Sequence, residues 1–501
     1  MRNSLRGSVV GGSTAGLLTA TAGLLAAAAG TATAIPVPAV PAAPPGFIGA
    51  AAVAQPITDV PPVPQHPYLA PNGNSGIHDD GWMSNTNTRP GPLGHDIRVV
   101  SAVVGGECGS IAFDRAGRLV TTCIGPNPAL YLLDPVTLNV LGRSALPGDP
   151  GAFLRPGAFG NFTGGAYFYL DNQDRAVIAS RDGHIRVFTE NSGGDGFTLA
   201  RDYDLTDVLR PGETFNSALP DSNGLLWFVA RTDGVVGTLD LNTGAAQAIR
   251  LGDGADGEIE NSFAVGNEGD VYIVTNRELL RFDAGPGGAP GITWRVTYAN
   301  SGQHKPGQVD DGTGTTPTIL SGGYVAITDN ADPMNVVVYR TAPGAAQRQV
   351  CAVPVFGAGA SDTENSLISA GNSLIVENNY GYTGPEAALL GKTTTPGLAR
   401  IDIDPDGNGC HQVWTNTTEA APTVVPKLSL ATGLVYTYTK GTEVSDPWYL
   451  TALDFRTGAT VWKQLAGTGP GFNNNYAGIA IGPNGTAYLG VLPGLIALRD
   501  N

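Results

Sequence analysis

Short β-branched and aromatic runs, each stopped by Gly, Asp or Asn, follow one another along most of this chain. Such runs read as strands, because branched and aromatic side chains suit a pleated, half-buried surface while the small polar residues supply turns. The first clear run is 97–104, Ile-Arg-Val-Val-Ser-Ala-Val-Val, ended by Gly105-Gly106. After it one unit repeats: an apolar strand, a Gly/Asp/Asn turn, a β-rich strand, a variable loop, a strand ending near Asp, a Gly turn and a last strand. The second strands stand out at 118–123, 175–180, 225–230, 270–275, 323–328, 373–377, 433–438 and 486–490. Third strands follow at 129–134, 184–188, 236–240, 279–283, 335–340, 398–402, 449–454 and 495–499. That makes about eight units at roughly 40–50-residue spacing, the period of propeller blades. The expected fold class is all-β, an eight-bladed β-propeller, with seven blades as the fallback.

The last unit stops after its third strand, at Asn501, and the run 97–104 has no unit of its own. That run is expected to supply the missing outer strand of the last blade. The ring would then close and hide edges that an open sheet exposes.

Composition agrees with many strands joined by many turns: Gly 70, Pro 37 and only 14% charged residues in 501, with 42% hydrophobic residues for a core. The net charge of −16 argues against a nucleic-acid partner, which needs clustered Lys and Arg. At the start, Arg2 and Arg6 precede an apolar stretch, 9–30, and Ala32-Thr33-Ala34 offers small residues for cleavage. This reads as a signal peptide, 1–34, and places the protein in the secreted or cell-envelope compartment. The competing reading, a membrane anchor, has against it weak hydrophobicity and no basic cluster after the segment; no transmembrane domain is expected once the signal is removed. Residues 35–64 are Pro/Ala-rich and read as an extended linker, 65–96 as an irregular capping segment, and 97–501 as the propeller.

Four cysteines fit an oxidising compartment. Cys108 and Cys123 flank the turn 114–118 almost symmetrically, so in a hairpin they face each other and a disulfide is geometrically possible. Cys351 and Cys410 are left to pair with each other.

One stretch is sharper than the other repeats: Ala452-Leu-Asp454-Phe-Arg-Thr457-Gly458-Ala-Thr-Val-Trp462. It matches Ala-x-Asp-x-x-Thr-Gly-x-x-x-Trp, in which Asp and Thr-Gly tie a turn between the outer strands and Trp packs against the neighbouring blade. With this motif the chain resembles the pyrroloquinoline-quinone (PQQ)-type propellers of the quinoprotein alcohol dehydrogenase-like superfamily. The resemblance implies the eight-bladed fold over about 97–501. Partial copies occur at Asp240-Leu-Asn-Thr243-Gly244, at Trp294 and at Asp134-Pro-Val-Thr137. Dehydrogenases of that type carry a vicinal Cys-Cys pair over the quinone, and no such pair or haem-attachment motif occurs here. PQQ is therefore not expected. Many members of the superfamily are binding or assembly proteins, and fold alone does not assign a reaction.

In a propeller, the loops leading into first strands crowd one mouth of the central channel. Here they repeat a polar pattern: Phe215-Asn216-Ser217, Glu260-Asn261-Ser262, Glu364-Asn365-Ser366 and Asn473-Asn474-Asn475-Tyr476, with Glu107 at the matching point of the first unit. Carboxylate and amide oxygens converging there could hold calcium. The candidate ligands are Glu107, Asn216, Glu260, Asn261, Glu364, Asn365 and, from the loop after a second strand, Glu377. Equally, Asn and Ser at such places satisfy turn backbone and hydrate a polar channel. His78 and His304, both in loops, are weak candidates for a general base. Lys305 and Lys427 lie near first strands, where salt bridging to the surrounding acid is the better reading. No Gly-x-Ser-x-Gly elbow or His-x-x-x-His pair is present.

Two functions fit. One is a secreted binding or scaffold propeller that takes a small molecule or an envelope protein at its channel mouth. The other is a quinone- or calcium-dependent enzyme, an oxidoreductase or a lactonase-like hydrolase. A channel filled by apolar side chains would exclude both enzyme versions.

Overall fold

The computed structural model describes residues 43–501 apart from 77, 149–150, 152–164 and 253. The signal-peptide expectation for 1–34 and the first part of the linker lie outside these residues. The described strands form eight sheets arranged as a propeller. In sequence order the blades are 107–145, 168–204, 215–250, 264–297, 318–354, 368–416, 427–468 and 479–499, numbered here 1 to 8. Within each, successive strands are antiparallel neighbours and run from the axis outward. Among the described residues, helical structure is confined to 3-10 turns of three or four residues, and no helix is long and apolar enough to cross a membrane.

Blade 8 contributes only three strands of its own. Arg98–Val103 supplies the fourth, pairing Arg98 with Arg499 through to Val103 with Gly494. The ring is thus closed by strands from both ends of the propeller sequence, as the unpaired run 97–104 implied.

The repeated turn residues do the same work in successive blades. Asp114 and Asp171 close first hairpins, each accepting from the backbone N–H four residues on (2.7 and 2.9 Å) and pairing with the arginine there. Asp134, Asp240 and Asp454 tie outer hairpins through the Thr three residues on. The tryptophan of the sharpest repeat packs against the neighbouring blade as expected. Trp462 is fully buried among residues of blades 7 and 8, and on its other side it meets Phe47 and Gly94. An indole hydrogen bond across a blade boundary comes from Trp414, whose Nε1 donates to Phe455 O between blades 6 and 7 (2.9 Å). Trp294 does the same from blade 4 to Thr341 O of blade 5 (3.1 Å).

Both expected disulfides are present. Cys108–Cys123 crosses the first two strands of blade 1, and Cys351–Cys410 joins the outermost strands of blades 5 and 6.

The stretch before the propeller is built into it. Phe47–Gly49 adds to the outer edge of blade 7, paired with Trp462 to Gln464. Gln55 and Ile57 then hydrogen-bond to Thr432 and Leu430, and Ala52 and Ile57 are buried. Residues 69–76 and 78–87 continue along the axis of the ring. Their carbonyls accept from first-strand N–H groups of blade after blade: Asn74 from Phe113, Ser75 from Leu170, Gly81 from Val265, Trp82 from Ile319, Ser84 from Ser369 and Asn85 from Leu428. Thr86–Asn87 pairs in parallel with the first strand of blade 7. A ring of sheets leaves its innermost strand edges unpaired, and buried N–H groups need acceptors. This arm supplies them, so the channel is filled from within the chain.

Candidate functional site

Above the arm, at the mouth formed by the loops leading into first strands, a cavity of about 310 Å³ remains. Gly76, His78 and Asp79 of the arm line it, together with residues of the blade loops. The filling below is mixed: Met83 is fully buried there, but so are Asp80, Ser84 and Asn85. The result is a cup open at one end of the ring. Its apolar wall includes Ile111, Val425, Ile479, Ala480 and Leu492; its polar groups include Glu107, Tyr167, Glu364, Asn365 and Lys427.

The predicted site residues divide into two groups. Glu107, Asn261, Glu364, Asn365 and His78 line the cup. Asn216, Glu260 and Glu377 are buried but do not line it. Asn216 Nδ2 donates to the carbonyls of Ile259 (3.3 Å) and Asn261 (3.1 Å), which splices the loops into blades 3 and 4. Glu377 accepts from Asn365 Nδ2 (2.6 Å) and from Thr437 (3.3 Å). Glu260 pairs with Arg231 at 3.2 Å. Among the described residues no group of three or more His, Cys, Asp or Glu side chains is placed to hold a metal ion. His304 lies elsewhere, half exposed and 3.7 Å from Asp311.

Amides orient the carboxyls that line the cup. Asn475 Nδ2 donates to Glu107 Oε2 (3.1 Å), while Glu107 Oε1 has no hydrogen bond. Tyr167 donates to Asn261 Oδ1 (2.9 Å), and Asn261 Nδ2 reaches Glu364 Oε1 at 3.4 Å. Asn365 gives its amide protons to Glu377 and to Val424 O, leaving its Oδ1 without a hydrogen bond. Burial pushes Glu107, Glu260 and Glu364 well above the usual carboxylate range, and for Glu260 and Glu364 neighbouring Asp310 adds to the effect.

His78 sits in a chain that looks nucleophilic at first sight. Its Nε2 is 3.3 Å from Ser366 Oγ and its Nδ1 3.1 Å from Asn85 Oδ1. Yet burial, and then the Lys427 ammonium, lower its pKa to about 3. A base that resists a proton this strongly is poorly matched to accepting one from a hydroxyl near neutrality. The imidazole acts here as a neutral hydrogen-bonding strut. Lys427 itself pairs with Asp79 (2.8 Å) and donates to Asn85 Oδ1 (2.9 Å), so salt bridging is its role.

Tyr167 was not legible as a site residue, because the loop into blade 2 lacks the Asn-Ser pattern. Its position just before Phe168–Leu170, at the entry to the first strand of that blade, is the signal that could have found it.

The buried carboxyls carry a pH prediction. Burial raises Glu377 and Asp362 to about 8 from ordinary values of 4.5 and 3.8. Between those limits the folded chain holds a proton that the unfolded chain has lost, so stability falls as pH rises through that window. The buried His66 and His78, lowered to about 4 and 3, oppose this only below their ordinary value of 6.5. Urea unfolding is expected to show lower stability at pH 8 than at pH 6.5, by about 1–1.4 kcal/mol per pH unit for each such carboxyl. Glu377→Gln should flatten the slope by one group's share; an unchanged slope would contradict the assignment.

No family model matches this sequence. An uncharacterized protein of Archaeoglobus fulgidus is 25% identical over 366 residues, 67% of this chain and 70% of that protein. Among solved structures, the quinohemoprotein alcohol dehydrogenase of Comamonas testosteroni is similar with a TM-score of 0.56 at 12% identity, over 87% of this chain and 80% of that one. A streptogramin B lyase structure is matched with a TM-score of 0.42 at 12% identity, over 84% of this chain and all of that one. The dehydrogenase match shows the β-propeller fold.

Proposed function

We propose that this chain is a secreted, PQQ-like β-propeller that binds a small organic ligand in the axial cup. The observation that carries the reading is the one-ended cavity, floored by the chain's own arm and walled by both apolar side chains and oriented polar ones. A volume of about 310 Å³ lies at the small end of the roughly 300–1,000 Å³ usual for ligand sites. Two disulfides suit an oxidising compartment, which supports the secreted or envelope setting.

The residues present do not fit PQQ. That planar quinone bears three carboxylates and would need cations and a flat aromatic floor. The described cup lining holds Glu107 and Glu364, one lysine already paired with Asp79, and no Arg or Trp. Calcium is a further arm of the test, with Glu107, Glu364, Asn261 and Asn365 as the oxygens nearest to the cup. An envelope protein inserting a side chain there is the remaining alternative to a free small molecule.

The test is a thermal-shift screen of the full chain against small organic compounds, with Ca²⁺, chelator and PQQ as separate arms. Gly109 lines the cup, and a Cβ added there would come no closer than 3.9 Å to its nearest neighbour, Ala166. Gly109→Leu should therefore fill the cavity and leave the fold intact. A true ligand at one hundred times its Kd is expected to add about 2.7 kcal/mol to the wild type and nothing to the filled variant. Equal shifts in both proteins, or none in the wild type, would defeat the reading. A shift with calcium lost on chelation would point to the metal.

A further inference from the structure

We infer that the ligand of the cup is an organic ammonium compound: a protonated amine carried on an apolar body. This rests on the binding reading above and narrows it to a chemical class.

Among the described residues the acidic and basic groups lining the cup are Glu107, Glu364, Asp79 and Lys427. Asp79 and Lys427 cancel each other at 2.8 Å in the floor. Among the described residues that leaves two carboxyls in excess, Glu107 from blade 1 and Glu364 from the loop into blade 6, which burial favours in the neutral form until a cation pairs with them, and no lining cation besides Lys427. Behind Glu364 lie Glu260 and Asp310, with Arg231 shared between Glu258 (2.6 Å) and Glu260 (3.2 Å). An anionic ligand would thus meet two carboxyls and, among the described lining residues, no free cation to receive it.

The hydrogen-bonding capacity points the same way. Glu107 Oε1 and Asn365 Oδ1 are buried acceptors without a hydrogen bond. Buried acceptors left unsatisfied cost free energy, and a ligand that brings N–H donors recovers it. A hydrogen bond from a charged donor to a carboxylate is stronger than a neutral one. Tyr167 and Tyr476 also line the cup, and aromatic rings attract an ammonium more than any neutral group of its size. Ile111, Val425, Ile479 and Ala480 offer the rest of the ligand an apolar wall. Acceptors in surplus, aromatic rings and an apolar wall together describe a site for a cation with a hydrophobic tail.

Isothermal calorimetry on the full chain at neutral pH tests this with three matched probes: 4-phenylbutylamine, 4-phenylbutanol and 4-phenylbutanoate. The amine is expected to bind about tenfold or more tighter than the alcohol, and the carboxylate to give no heat. Glu364→Gln and Glu107→Gln, checked for an unchanged melting transition, should each weaken the amine by about tenfold and leave the alcohol within about twofold. If the alcohol binds as well as the amine, or the carboxylate binds tighter, the ammonium assignment is overturned while the cup survives as a binding site. If none of the probes binds, the ammonium assignment fails with them. If amine heat persists undiminished in Gly109→Leu, binding is outside the cup and both readings fall.

Discussion

Lys427→Met is expected to destabilise the protein by about 3–5 kcal/mol, the usual cost of stranding one member of a buried ion pair. The Lys427 ammonium lies 2.8 Å from Asp79, with both side chains about 95% removed from water. Methionine matches the length of the lysine stem, so packing changes little and the loss is electrostatic. Asp79 would then be left charged in the floor of the cup, supported by Asn87 at 3.4 Å. Adding Asp79→Asn to Lys427→Met removes the orphaned charge and should restore most of the loss, since replacing both partners of a buried pair is often neutral. The comparison also reports on the arm, because Asp79 belongs to the axial segment and Lys427 to the first strand of blade 7. Chemical denaturation of the single and double variants provides the measurement. A single variant within about 1 kcal/mol of the wild type would mean that the pair does not pin the arm.

Trp414→Ala is the second large effect, again about 3–5 kcal/mol. Trp414 projects from the outer strand of blade 6 and is 8% exposed, and its indole donates to Phe455 O of blade 7. Its ring covers Gly458, where a Cβ would fall 2.4 Å from Cε3 and where φ is +71°. The glycine of the Thr-Gly turn is thus required twice, by its left-handed backbone and by the ring that rests on it. Trp414→Phe keeps apolar cover but drops the N–H donor, and should cost about 1–2 kcal/mol beyond the lost area. Gly458→Ala should destabilise through the same boundary. If Trp414→Ala unfolds at nearly the wild-type denaturant concentration, the blade 6–7 contact is not held by this ring.

The Trp462 motif shows where local pattern stopped being informative. Its Asp454, Thr457 and Gly458 form the turn that their spacing requires, because a turn is closed by residues a few positions apart. The tryptophan packs against blade 8 as the motif implies, but Phe47 and Gly94, which cover its other side, come from before the propeller and no spacing announces them. Trp414 makes a blade-to-blade contact of its own, on a strand with no recognisable copy of the motif. The site divides in the same way. That Glu107, Asn261, Glu364 and Asn365 gather at one mouth followed from the repeat, since equivalent positions of successive blades meet around one axis. Which of them reach the cup did not follow. Asn216 and Glu377 turn their polar atoms into bonds between loops, a choice made by distances of a few ångströms that no spacing encodes.

Taken alone, the sequence determined the all-β class, the eight blades, the closure by the run before the first blade, both disulfide pairings and the end of the ring that carries the polar residues. These are consequences of period, turn chemistry and parity, and each is legible over a few residues or one repeat. Tertiary structure alone decided that 69–76 and 78–87 run along the axis and turn a channel into a cup. The reason is physical. The arm is held mainly by its backbone carbonyls, which accept from the free inner edges of blades 1, 2, 4, 5, 6 and 7. Every residue carries that acceptor, so nothing in the side-chain pattern announces it.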